Sequence, residues 1–125
     1  MTISEVIASV DSLKKGNRYS ETEKIKWLSE LDGIIKSETI NTHEGADNVK
    51  FSGYDRNTKV DVTHLIVPEP YCDLYIHYLC AKMSLYDGEM ERYNNETNLY
   101  NAAKIRFVDY WNRTHMPLGI SKLRW

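Results

Sequence analysis

Ile3, Val6, Ile7, Val10 and Leu13 recur at the 3.6-residue period and predict an amphipathic helix over about 2–15. Gly16-Asn17 ends it, and Lys14 and Lys15 stand where cations suit the negative end of a helix dipole. A second stripe, Ile25, Leu28, Leu31, Ile34 and Ile35, is widened by Trp27 and predicts a helix over about 21–40. Ser20 and Glu23 have the spacing of a capping box, in which the hydroxyl accepts from the third amide and the carboxylate returns to the cap amide.

The pattern changes over 41–67. β-Branched and aromatic residues flank a polar Asp55-Arg56-Asn57-Thr58 stretch, which fits either a short β-hairpin or a long ordered loop. Pro68-Glu69-Pro70 is a strong break. Beyond it Tyr71, Leu74, Tyr75, Tyr78, Leu79, Leu85 and Tyr86 cover a broad helical face. Asp87-Gly88 interrupts that face, and Asp87 is expected to cap a new helix with Glu89 and Glu91 in its first turns.

That last helix is expected to run to about His115, roughly 40 Å at 1.5 Å per residue. Tyr93, Tyr100 and Phe107 are spaced seven apart, with Met90, Thr97, Ala103, Tyr110 and Trp111 in the adjacent row. Such a repeat marks a helix lying at a shallow angle against another, so the two helices around Asp87-Gly88 are expected to fold back as an αα-hairpin. The fold class expected is mainly α: one small helical domain over 1–117, with 41–67 as a loop or hairpin insertion. An extended arm over 118–125 completes it.

Hydrophobic content of 42% and charged content of 27% over 125 residues suit one globular domain. The opening residues lack the basic start and apolar core of a secretory leader, and no apolar run approaches the ~20 residues of a membrane span. A net charge of -2 argues against broad nucleic-acid binding. The charge is uneven: 87–98 holds four acids and one base, and 101–125 holds five bases and one acid. Glu89, Glu91 and Glu96 are thus candidate acids at a boundary between copies, and Lys104, Arg106 and Arg113 candidate bases facing a neighbour or DNA.

Asp73, His77 and Cys80 fall at i, i+4 and i+7, which would put three metal-ligand types on one helix face. A fourth would have to come from His43 or His64. There is no CxxC, no HExxH, no P-loop and no GxGxxG, and buried cysteine behaves as a small hydrophobe. Cys72 and Cys80 lie about 12 Å apart along one helix, too far for a disulfide between them. No enzyme activity, metal or cofactor is expected.

The order of motifs is a capped helix with Trp27-Leu28, a variable middle, LIVPEPY, a tyrosine-rich helix, YNN, and a long helix ending in YWNRTHMP. Over about 19–117 this resembles the small neck proteins of tailed bacteriophages and prophages, the head–tail connector or head-completion adaptors. The middle segment is longer and more strand-like than in the plain helical version of that family. The resemblance implies a structural virion protein of the neck, assembled in the host cytoplasm. It would form a ring, twelvefold on the portal, that continues the DNA channel without reading sequence. Its partners would be the portal protein, other copies of itself, the next neck or tail-completion protein and the passing genomic DNA, with no membrane. Leu118, Ile120, Lys122, Leu123, Arg124 and Trp125 match the family's portal-binding arm by position and composition. The competing reading is a small helical binding module that uses the basic C-terminal face for nucleic acid or a protein partner.

Overall fold

The first helix, α1 (Ile3–Leu13), starts at a cap that the spacing of its apolar stripe alone does not reveal. Thr2 Oγ1 accepts from the Glu5 amide at 3.2 Å, and the Glu5 carboxylate takes the Thr2 amide at 3.0 Å. The expected box at Ser20 and Glu23 starts α2 (Glu21–Glu38), with bonds of 3.2 and 3.3 Å. Two further helices, α3 (Asp73–Tyr86) and α4 (Met90–Thr114), complete a mainly α fold in this computed structural model, which describes residues 1–118. Single 3-10 turns at Ile40–Thr42 and Ala46–Asn48 follow α2. No helix among the described residues is long and apolar enough to cross a membrane.

The core is where the four stripes meet. Val6 and Val10 of α1, Leu28 and Leu31 of α2, Leu74, Tyr75 and Leu79 of α3, and Phe107 of α4 are all fully buried. Lys24 of α2, itself buried, reaches Asp11 of α1 at 2.6 Å, so the α1–α2 junction carries a charge-assisted bond beside its apolar contacts. One turn along α2, Trp27 stacks on Tyr86 with ring centroids 5.8 Å apart and touches Tyr19 at 5.3 Å. This aromatic group fixes the tip of the α3–α4 hairpin to the start of α2.

The hairpin forms as expected, but its turn is built differently. Asp87 does not cap α4; it is the C-cap of α3. Gly88 takes φ 75°, and the amides of Gly88 and Glu89 return to the carbonyls of Leu85 and Ser84 at 3.2 and 2.9 Å. That is a Schellman ending, in which the glycine supplies the left-handed residue. The Asp87 side chain is drawn instead to the Tyr19 hydroxyl at 2.6 Å and to Arg18 at 3.3 Å. Helix α3 also begins at Asp73, later than its aromatic pattern suggests. Tyr71 sits before it, in a turn closed by its amide on the Pro68 carbonyl at 3.0 Å.

The 41–67 segment contains no strand among the described residues, so the hairpin alternative gives way to the ordered loop. The reason lies in where its backbone bonds go. The carbonyls of Val60 and Thr63 take the free amides of Ser4 and Ile3 at the start of α1, at 3.0 and 3.1 Å. The amides of Tyr54 and Ile66 are taken by the side chains of Ser29 and Asp32, at 3.0 and 3.1 Å. Helices, rather than a partner strand, satisfy this loop.

Candidate interaction surfaces

The seven-residue row of α4 does not close evenly on α3. Phe107 is fully buried and Ala103 and Trp111 nearly so. Tyr100 and Tyr93 are half-buried, and Met90 is 52% exposed. The seam therefore opens toward the hairpin tip. It leaves a cleft of about 230 Å³ lined by Tyr78 and Leu85 from α3 and Tyr93, Thr97, Tyr100 and Asn101 from α4. Tyr78 and Tyr100 meet at 5.4 Å, and Lys82 lies over the Tyr78 ring at 5.6 Å. Burial, with Tyr78 alongside, pushes the Tyr100 hydroxyl up to about 12, so that hydroxyl stays neutral, and Lys82 is the charged group of the lining.

The far end of α4 is clamped. His43 Nδ1 lies 2.6 Å from the Thr39 carbonyl, which can only accept. Its Nε2 lies 2.6 Å from the Asn112 Oδ1, so an oxygen acceptor faces each ring nitrogen. The Glu44 amide donates to the Met116 carbonyl at 2.8 Å, and His43 and Pro117 form an isolated bridge. His115 stacks on Trp111 with centroids 3.7 Å apart and planes 8° from parallel. The chain is thus led to Leu118, 39% exposed, from a fixed point on the body. His43, weighed in the sequence as a fourth metal ligand, is a structural clamp. Its isolated position in a turn-like stretch gave no sign of that.

The charged candidates divide. Glu96 turns inward: it pairs with Lys14 at 3.2 Å, accepts from Ser84, and faces the Cys80 thiol. Lys14 accordingly serves α3 and α4 rather than the end of its own helix. Lys104 pairs with Glu38 at 3.8 Å and Arg106 with Asp73 at 3.3 Å. Glu89 takes Arg92 at 3.2 Å, whereas Glu91 and Arg113 are exposed. Internal pairs therefore absorb most of the charge separation read along the chain. Leu118 is the one arm residue among those described; Ile120, Lys122, Leu123, Arg124 and Trp125 lie outside them.

Asp73 and His77 do approach, at 3.9 Å, but Cys80 is buried on the side facing Glu96. Among the described residues no group of three or more His, Cys, Asp or Glu is placed to hold a metal ion. Both thiols are free, and burial first of all pushes each up to about 11, away from the reactive thiolate. Comparison with protein-family models, with curated proteins and with solved structures found no match for this chain.

Proposed function

We propose that this chain is a structural subunit of a phage neck, a head–tail connector that forms a ring on the portal and continues the DNA channel. The observation that carries the reading is the pairing of two unlike surfaces on one rigid hairpin. One end is the clamped point at Pro117, after which the sequence continues with the apolar residues of 118–125, and the other end holds an open aromatic cleft. A head-to-tail ring needs two different complementary surfaces on each subunit, and a helical body with no metal-binding group among its described residues suits a scaffold. The internal pairing of Lys104 and Arg106 weighs against the alternative, a module that binds nucleic acid through its basic C-terminal face.

The test mixes the purified chain with portal rings and follows mass by light scattering and shape by electron microscopy. Stoichiometric ring addition is expected. Deleting 118–125 should leave the helical spectrum and melting temperature nearly unchanged while abolishing addition. A chain that ignores the portal yet binds DNA with a steep salt dependence would overturn the reading and favour the alternative.

A further inference from the structure

The α3–α4 cleft has the size and chemistry of a socket for one large aromatic side chain. Its volume is about 230 Å³. An apolar cavity of about 150 Å³ accepts a benzene ring, so an indole fits here. Tyr78, Leu85, Tyr93 and Tyr100 supply apolar and aromatic walls, and Thr97 supplies a side-chain oxygen for an indole N–H. Resting on the ring-subunit reading, we propose that this cleft receives Trp125 of a second copy of the chain.

Three observations select that occupant. The segment LGISKLRW places four large apolar residues among two cations, and tryptophan is the residue type that most often anchors an interface by filling a pocket. Glu30, exposed on the adjoining rim of α2 and in no ion pair among the described residues, offers a partner to Lys122 or Arg124. The third observation is reach. The His43 clamp holds the chain beside Asn112, and from there the near wall of the cleft, at Asn101, is about 16 Å along α4 and the far wall, at Tyr93, about 28 Å. Seven residues, 119–125, span at most about 25 Å when fully extended. The chain's own tail can therefore reach the near wall of the cleft, but its backbone falls short of the far wall at Tyr93. A neighbouring copy meets no such limit. The socket and the clamped point from which the tail starts lie on different parts of the subunit, so the contact is heterologous and propagates around a ring.

The test uses the full chain carrying Asn101→Cys, on the exposed rim of the cleft, together with Arg124→Cys. The native Cys72 and Cys80 are buried and remain spectators. Equal amounts of ¹⁴N- and ¹⁵N-labelled protein are mixed and treated with a short bismaleimide, and the linked peptides are weighed by mass spectrometry. Links between 101 and 124 in which about half pair the two isotopes are expected. Adding Trp125→Ala should reduce them at least tenfold with the helical spectrum unchanged. Links confined to single chains, links insensitive to Trp125→Ala, or no links at all would overturn the docking. If rings still assemble on the portal in that case, only the socket is wrong; if they do not, the ring reading fails with it.

Discussion

The Asp32 carboxylate accepts the Tyr75 hydroxyl at 2.6 Å, and neither side chain has exposed surface. The same carboxylate takes the Tyr54 hydroxyl at 2.6 Å and the Ile66 amide at 3.1 Å, while Tyr75 accepts from the Val67 amide at 2.8 Å. One buried acid thus ties the 41–67 loop, at Tyr54 and Ile66, to α2 and α3, and no cation stands among the groups acting on it. Burial dominates and raises its pKa above the ordinary 3.8, against the pull of its hydrogen bonds. A folded-state pKa above the unfolded one means that the folded chain binds this proton more readily. The contribution is fully present below the unfolded value and lost as pH rises through the folded one. Melting temperature measured from pH 7 down to pH 4, for the native chain and Asp32→Asn, should show the native chain gaining relative to the variant on acidification. A gap that stays constant, or moves the other way, would mean that the three donors outweigh burial.

The seam gradient gives a second test. Phe107→Ala removes a fully buried ring and should destabilise by about 3–5 kcal/mol. Tyr100→Ala, half-buried at the cleft, should fall well below that, and Met90→Ala, 52% exposed, within about 0.5 kcal/mol of zero. Urea midpoints of the three variants decide it. Equal losses along the row would mean that the seam is closed to its tip.

At the hairpin turn, Gly88→Ala should lower stability by about 1–2 kcal/mol, since alanine resists the left-handed conformation that φ 75° requires. Gly88→Asn should be tolerated better, because asparagine visits that region. If the two substitutions behave alike, the turn is not held by its glycine.

This turn also shows what could be read from the chain and what could not. The four helices, the Ser20–Glu23 box and the hairpin were legible because each rests on local spacing. Asp87-Gly88 was read as a break correctly but as the wrong cap, because an acid before a helix and a glycine after one fit the same dipeptide. What decides is the Tyr19 hydroxyl and Arg18, some 68 residues away, which claim the Asp87 side chain. The 41–67 loop misleads for a similar reason. Its β-branched residues promise strands, yet Ser29, Asp32 and the start of α1 take the backbone bonds a partner strand would need. The open cleft was beyond reach of any pattern, since Tyr93, Tyr100 and Phe107 look alike in sequence and differ only in how closely α3 approaches them.

The cysteines should be slow to react. Burial pushes both thiols up to about 11, and the Cys72 thiol also donates to the Val67 carbonyl at 3.0 Å. Labelling by iodoacetamide near pH 8 should be orders of magnitude slower in the folded chain than in urea, and its rate should follow unfolding. Rapid modification of either thiol in the native chain would mean that α3 opens locally.

The clamp at the end of α4 should be separable from the core. His43→Ala removes two bonds, to the Thr39 carbonyl, which still accepts from Thr42 Oγ1, and to the exposed Asn112 side chain, a loss of about 1–3 kcal/mol for the two together. The more telling readout is local. Hydrogen exchange at the Glu44 amide, which donates to Met116, and at the His115 amide, which donates to Trp111, should quicken in the variant. Amides in the middle of α2, such as Leu31, should keep their protection, because their packing against α1 and α3 does not pass through His43. Uniform loss of protection would make His43 part of the core rather than a clamp. Unchanged exchange at Glu44 and His115 would mean that the Trp111–His115 stack, and not the imidazole of His43, fixes where the chain leaves the body.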